Sequence, residues 1–100
     1  MSFAVLAEPV RRRILDLLLE RPRLVGELTL ELGISQPGTS KHLAVLREAG
    51  LVTVRAEANR RWYELTPEPL AEIDDWLAPY RVRWRQAFDQ LEQHLDGMED

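Results

Sequence analysis

Residues 35–50, SQPGTSKHLAVLREAG, carry the side chains of this chain that are best suited to hydrogen bonding with a partner. One face of the helix predicted here is small, polar and singly basic, and it consists of Gln36, Pro37, Ser40, Lys41 and Ala44. Short polar side chains without bulky apolar neighbours allow a helix to enter the major groove of DNA and meet base edges. The segment alone fits an ordinary amphipathic surface helix equally well. The flanking segments decide between these interpretations.

Other chemistry finds little support in the sequence. The chain has two histidines and no cysteine, whereas a zinc site needs three or four ligands. Ser40 and His42 are two residues apart on one helix and point to different faces, so they cannot form a nucleophile–base pair. His94 is expected to be a solvated helix-end histidine rather than part of a weak site between subunits with Asp89, Glu92 and Asp96. We expect no enzyme activity, no cofactor and no functional metal.

The ends of the polar helix are marked by its own residues. Ser35 can cap the first amide groups, Pro37 suits the first turn, and Gly50 supplies a stop. Its inward face is predicted to contain Thr39, Leu43 and Leu46. His42 borders that face, where packing at the core edge and contact with phosphate are equally expected.

A second short helix is predicted directly upstream, over residues 24–32, and Gly33 closes it. Leu24, Leu28 and Leu32 face inward, while Glu27 and Glu31 face outward. Two helices joined by a short turn containing glycine make a helix-turn-helix, here at about residues 24–50.

A β-hairpin is predicted next, at about residues 51–65. Residues 51–55 and 61–65 are rich in β-branched and aromatic residues, and Asn59 is predicted as the left-handed residue of the turn between them. This hairpin is the wing of a winged helix. Arg60 at its tip, with Arg61 assisting, is predicted to contact phosphate or the minor groove. A loose charged hairpin without a DNA role is the alternative.

The N-terminal part predicts a capped turn and then a helix. Ser2 can cap the turn, and Pro9 suits the start of the helix. The apolar arc of that helix is wide and contains Val10, Ile14, Leu15, Leu17, Leu18 and Leu19. Arg11, Arg12 and Arg13 lie in its first turn, where positive charge opposes the helix dipole. We expect these arginines to be solvated or ion-paired, with contact to phosphate or to an acidic partner as the alternative.

A long C-terminal helix is predicted over about residues 67–96. Thr66, Pro67 and Glu68 provide a cap, a first-turn proline and an acid that suits the helix dipole, and Gly97 is expected to end the helix. Pro79 removes one backbone hydrogen bond, so the helix should kink or divide nearby.

An apolar stripe runs along this helix and contains Ile73, Leu77, Tyr80, Trp84, Phe88, Leu91 and Leu95, with Trp76 at its border. A small winged helix cannot cover so long and aromatic a stripe. We therefore interpret it as a dimer seam rather than as packing within one chain. Phe3 and Leu6 are expected to complete the interface. If an effector is bound, an organic molecule near Tyr80 and Trp84 is expected.

Length and composition suit one small domain that would gain from a partner chain, with 100 residues and 45% hydrophobic content. The absence of cysteine excludes disulfides and thiol-based metal or redox sensing. The N-terminal apolar run is too short for a signal peptide, and no stretch is long enough to cross a bilayer, so we expect a cytoplasmic protein without a membrane partner.

The net charge of −4 is unevenly distributed, with +2 on residues 1–64 and −6 on residues 65–100. The basic part can bind DNA through its local field. The overall charge predicts modest non-specific affinity.

Three segments together resemble the ArsR-type bacterial repressors: LAEPVRRRILDLLLE, VGELTLELGISQPGTSKHLAVLREAGLV and NRRWYEL. The resemblance covers Leu6 to about Leu65 and extends loosely into the last helix. It implies a mainly α fold with a small β-hairpin wing, a winged helix-turn-helix that dimerises through its terminal helices. The recognition helix of the family corresponds to the helix predicted here within residues 35–50. In the metal-sensing branch of the family, a cysteine pair lies in the helix before the recognition helix. Here Glu27, Leu28 and Thr29 occupy that neighbourhood, so the chain resembles a branch without these cysteines.

The expected function is that of a homodimeric repressor that binds an inverted-repeat operator in double-stranded DNA and occludes a promoter. The alternative is a winged helix that serves as a protein-interaction module. The acidic balance of the chain favours this alternative, whereas the polar, lysine-bearing helix face does not.

Overall fold

The computed structural model describes residues 2–98. In chain order, its elements are α1 (Ala4–Ala7), α2 (Pro9–Glu20), β1 (Arg23–Leu24), α3 (Val25–Leu32), α4 (Gln36–Glu48), β2 (Val52–Glu57), β3 (Arg60–Leu65) and α5 (Glu68–Met98). The chain divides after Pro69 into two compact units. The first contains α1 to α4 and the strands, and the second contains α5 from Leu70 onward.

Helices α3 and α4 form the predicted helix-turn-helix. Gly33 follows α3 with φ 67° and ψ 28°, and its N–H donates to the Thr29 carbonyl over 3.0 Å. Gly50 has φ 78°, and its N–H donates to the Arg47 carbonyl over 3.0 Å beyond the end of α4. Glycine adopts this left-handed backbone without steric cost. Both predicted glycine stops are confirmed.

Side-chain caps fix the start of the chain. Ser2 Oγ accepts a hydrogen bond from the Ala4 N–H over 3.2 Å, and Glu8 Oε1 accepts one from the Val10 N–H over 3.1 Å. The second bond caps α2, which begins at Pro9 as predicted.

The arginines at the start of α2 bind the end of α1. Arg11 Nε donates to the Val5 carbonyl over 2.7 Å, and Arg12 Nη1 donates to the Leu6 carbonyl over 2.6 Å. The last carbonyls of a helix lack partners within the helix, so these bonds satisfy them. Arg11 and Arg12 are therefore structural, although their partners are backbone oxygens rather than water or acids. Arg13 is exposed.

The core of the first unit is aliphatic and contains Ile14, Leu15, Leu17, Leu18, Leu28, Leu43, Leu46, Leu51 and Val52. Burying each of these side chains contributes about 1.5–3 kcal/mol before entropy is counted. Leu19 is 73% exposed, so the buried arc of α2 is narrower than predicted.

Arg23 is buried, which the sequence pattern did not predict. Its Nε donates to the Leu17 carbonyl over 3.3 Å, and its Nη2 forms an ion pair of 2.6 Å with Glu20 Oε2. A buried charge requires such partners because an unpaired one destabilises the fold strongly. Arg23 thereby joins β1 to the end of α2.

The strands form an antiparallel sheet in the order β1-β3-β2. Strands β2 and β3 are the predicted hairpin. The two-residue strand β1 was not predicted, because so short a segment shows no alternation. The register pairs Glu57 with Arg60 and leaves Ala58 and Asn59 as the loop. The left-handed residue is Ala58, with φ 55°, so the assignment to Asn59 is wrong. Two-residue hairpin loops need a positive φ at their first position, which Ala58 occupies.

Helix α5 begins one residue later than predicted. Pro67 precedes the helix, Glu68 is its first residue, and Pro69 lies in its first turn. The Thr66 N–H donates to the Leu51 carbonyl over 2.8 Å, which ties Thr66 to the residue before β2.

Helix α5 continues past both residues that were expected to interrupt or end it. Of the two outcomes predicted at Pro79, division of the helix does not occur, and a kink stays a prediction. Arg81 donates to the Asp74 carboxylate over 2.8 Å and to the Asp74 carbonyl over 3.0 Å. These bonds lie next to the Asp75 carbonyl, which receives no hydrogen bond from residue 79 because proline has no N–H. Gly97, the predicted end, lies within the helix, because glycine in a helix costs only about 1 kcal/mol.

Candidate nucleic-acid interface

The start of α4 is shaped by a cap that tolerates little change. Ser35 Oγ accepts a hydrogen bond from the Gly38 N–H over 3.1 Å. A Cβ at Gly38 would lie 3.1 Å from that same oxygen, so a larger residue would disturb the cap. Gln36 and Pro37 form the first turn, at a helix end where free N–H groups and the dipole favour anions.

The four central candidates lie together on the exposed side of α4. Gln36, Pro37, Ser40 and Lys41 are all exposed, whereas the predicted inward residues Thr39, Leu43 and Leu46 are buried. Within residues 2–98, Lys41 has no hydrogen bond or ion pair, which leaves its ammonium group available. His42 is half-buried, which agrees with its predicted place at the border of the inward face.

Two threonine hydroxyls connect the buried side of α4 to α3. Thr39 Oγ1 lies 3.0 Å from the Ser35 carbonyl and 3.0 Å from Thr29 Oγ1 on α3. Thr39 donates to Ser35, so it can accept from Thr29. The sequence placed Thr39 inward but did not identify Thr29 as its partner. The sequence feature that could have indicated this hydrogen bond was a second threonine on the preceding helix.

Glu27 fixes the start of α3 and does not simply face outward. Its Oε1 accepts a hydrogen bond from the Leu24 N–H over 3.2 Å, and its Oε2 pairs with Arg21 Nη2 over 2.6 Å. The hydrogen bond from Arg21, followed by that from Leu24, lowers the pKa of Glu27. Glu27 therefore joins Arg21 to the start of α3.

The two predicted wing arginines lie on opposite faces of the hairpin. Arg60 pairs in register with Glu57 and Arg61 pairs with Ala56, and neighbouring residues of a strand point to opposite sides. Both arginines are exposed, and neither has an ion pair in the part of the chain that the structure describes. The hairpin therefore presents Arg60 and Arg61 to different surroundings.

A third wing arginine, Arg55, is held by two acids. Its Nε donates to Glu64 Oε1 over 2.6 Å, and its Nη1 donates to Glu57 Oε2. These hydrogen bonds, first the one that Glu64 accepts and then the one that Glu57 accepts, raise the pKa of Arg55. We did not identify this cluster from the sequence, because the first strand was predicted to end at Arg55, whereas β2 continues to Glu57.

The predicted dimer residues of α5 are mainly exposed. Tyr80 and Trp84 are about half exposed, at 45% and 48%, and their ring centroids lie 6.5 Å apart. Trp76 lies 4.9 Å from Tyr80 and extends this aromatic series. Phe88, Leu91 and Leu95 are exposed and Leu77 is half-buried. In the first unit, Phe3 is exposed and Leu6 is half-buried.

Residues 2–98 contain no group of three or more His, Cys, Asp or Glu side chains that could hold a metal ion. Helices long and apolar enough to span a bilayer are likewise absent from this part of the chain.

Comparison with known proteins identifies the same segment of the chain. Residues 8–54 match the family described as "Bacterial regulatory protein, arsR family". An HTH-type transcriptional regulator of Mycobacterium tuberculosis is 36% identical over 99 residues, which cover 99% of this chain and 90% of that protein.

Solved structures agree with the sequence relatives. A possible transcriptional regulator for arsenical resistance has a TM-score of 0.69 and 38% identity, over 78% of this chain and 81% of its own. The transcriptional repressor BigR from Xylella fastidiosa has a TM-score of 0.65 and 32% identity, over 81% of each chain. The predicted winged helix-turn-helix fold is thereby confirmed. The chain belongs to the ArsR family of bacterial regulatory proteins and is a DNA-binding transcriptional regulator.

Proposed function

We propose that this protein is a homodimeric repressor that binds an inverted-repeat operator and occludes a promoter. The exposed polar face of α4, opposite a fully packed face, is the observation that carries this proposal. Relatives named as transcriptional repressors, such as BigR of Xylella fastidiosa, support the direction of regulation.

In this proposal α4 lies in the major groove. The Gln36 amide can form paired hydrogen bonds with an adenine edge, and Ser40 can bond to any base that presents a donor or acceptor. Lys41 binds guanine or phosphate, and Pro37 offers a small apolar surface beside them. His42, at the border of the face, is suited to a phosphate. All five positions lie within two turns of the capped helix start.

The wing supplies the second contact. Arg60 lies at the hairpin tip and is proposed to contact phosphate or the minor groove. Arg61, on the opposite face of β3, assists from the other side. Their exposure and lack of ion pairs within residues 2–98 support these roles.

Dimerisation provides the spacing that an inverted repeat demands. Two recognition helices must reach successive major-groove faces about 34 Å apart, which requires a fixed two-fold arrangement. The exposed apolar side chains of α5 are proposed as the seam: Leu77, Tyr80, Trp84, Phe88, Leu91 and Leu95. Phe3 and Leu6 provide a further apolar surface for the second copy. An organic effector near Tyr80 and Trp84 stays a prediction.

The proposed regulatory role needs no catalysis, cofactor or metal, and a bacterial regulator that binds promoter DNA acts in the cytoplasm. Binding to duplex DNA over a range of salt concentrations tests the role directly. A DNA-binding regulator loses affinity linearly in log salt, with a slope set by the number of phosphates contacted. A protein-interaction module would bind duplex DNA weakly, without this dependence, and such a result would contradict the proposal.

A further inference from the structure

The outer face of the wing carries as many acids as bases. By the register of the hairpin, this face contains Thr53, Arg55, Glu57, Arg60, Trp62 and Glu64. Its two arginines and two glutamates give no net charge. A surface that meets DNA normally gains affinity from an excess of basic side chains, so this balance requires an explanation.

The glutamates are placed on Arg55 rather than on Arg60. Glu64 and Glu57 each accept a hydrogen bond from the Arg55 guanidinium. The side chains are 47% exposed for Arg55, 64% for Glu57 and 35% for Glu64. Ion pairs this exposed add little to folding stability. Stability therefore does not account for two carboxylates on one guanidinium.

Phosphate and carboxylate are alternative partners for the same guanidinium. Arginine binds both through its planar fork of N–H donors. Two carboxylates on this fork occupy donors that DNA could use. Arg60, on the same face, has no ion pair within residues 2–98.

We propose that Glu57 and Glu64 hold Arg55 away from phosphate, so that the outer face of the wing engages DNA through Arg60 alone. This inference rests on the proposed contact of the wing with DNA. Phosphate contacts strengthen binding to every sequence alike. Withholding the phosphate contact of Arg55 lowers non-specific affinity and raises the ratio of operator binding to background binding.

The double variant Glu57→Gln/Glu64→Gln tests this inference with a duplex that contains no operator. Arg55 then gains a phosphate, and the slope of log affinity against log salt steepens by about one. Affinity rises roughly three- to tenfold at about 0.1 M salt. The matched control is Asp16→Asn/Glu31→Gln, which changes the charge equally at exposed residues outside the hairpin. An equal gain in this control overturns the inference.

Substitution of Arg55 distinguishes a new phosphate contact made by Arg55 from a simple loss of repulsion between the two glutamates and DNA. Arg55→Gln alone should leave the salt slope unchanged, and Arg55→Gln added to the double variant should abolish its gain. A slope that decreases in Arg55→Gln alone, or a gain that survives in the triple variant, overturns the inference. Arg60→Ala tests the underlying contact separately, since it should reduce the slope by about one. If Arg60→Ala has no effect, the proposed wing contact itself fails.

Discussion

Thr29 Oγ1 lies 3.0 Å from Thr39 Oγ1, and this hydrogen bond joins α3 to the buried side of α4. Thr39 is fully buried, while Gln36 and Ser40 are exposed on the other side of the same helix. The bond therefore helps to set the rotation of α4 about its axis. In the proposed complex with DNA, that rotation decides which side chains reach the bases.

Thr39→Val should destabilise the fold by about 1 kcal/mol, because it keeps the shape but removes a buried hydroxyl. Thr29 can then donate only to the Val25 carbonyl, which lies 2.9 Å from its Oγ1. Urea unfolding of Thr29→Val, Thr39→Val and the double variant measures the coupling, which we expect to be at least about 0.5 kcal/mol. Strictly additive effects would show that the two hydroxyls do not interact.

Gln36→Ala or Ser40→Ala should cost about 1–3 kcal/mol on the best DNA site and broaden the sequence preference, because base-edge hydrogen bonds are lost. Titration of duplexes that differ at single positions measures both effects. Gln86→Ala, an exposed glutamine of α5, is the control of matched type. An unchanged preference in both α4 variants would remove these residues from the reading face.

Trp84→Ala should shift the protein toward monomer and abolish operator binding while its far-ultraviolet helical signal persists. Large aromatic residues dominate interfaces, and truncating one often costs about 2 kcal/mol or more. Trp84 is 48% exposed, so we expect no collapse of the chain's own core. Sedimentation and circular dichroism over a range of protein concentrations measure these effects. Val82→Ala, which is also exposed but lies off the stripe, is the control.

A Trp84→Ala protein that stays dimeric and binds normally would contradict the proposed seam. Outright unfolding at all concentrations would instead place Trp84 in the core of its own chain.

Glu27→Gln should reduce stability at neutral pH, with a difference that shrinks in acid. The pKa of Glu27 is lowered from 4.5, mainly by the hydrogen bond from Arg21. A carboxylate with a lowered pKa stabilises the folded state above its ordinary pKa, and this contribution is lost as the pH falls through the lowered value. Denaturant unfolding from neutral pH to below 4.5 tests this, with Glu31→Gln as the control. A difference that is independent of pH would contradict it.

The helix-turn-helix could be predicted from the sequence because its signals are local. Ser35, Gly33 and Gly50 act within one turn of their own positions, and helical spacing separated the buried Thr39 from the exposed Ser40. The exposed polar face of α4 therefore followed from residue types and spacing alone.

What the sequence did not reveal depends on partners distant in the chain or on register. The burial of Arg23 requires the end of α2 beside it, and β1 exists only because β3 offers a free edge. The wing loop shows the same limit. Asn59 is the better residue for a left-handed backbone, but the pairing of Glu57 with Arg60 assigned that conformation to Ala58.

Selection of bound duplexes from a random library, followed by sequencing, tests the central claim most directly. A homodimer that reads DNA with paired α4 helices should select an inverted repeat, with half-sites whose centres lie about 10–10.5 base pairs, or a multiple of that, apart. The same selection with Gln36→Ala should degrade matching positions in both half-sites. A single unrepeated half-site, or no enriched sequence, would contradict the account of a dimeric operator-binding repressor.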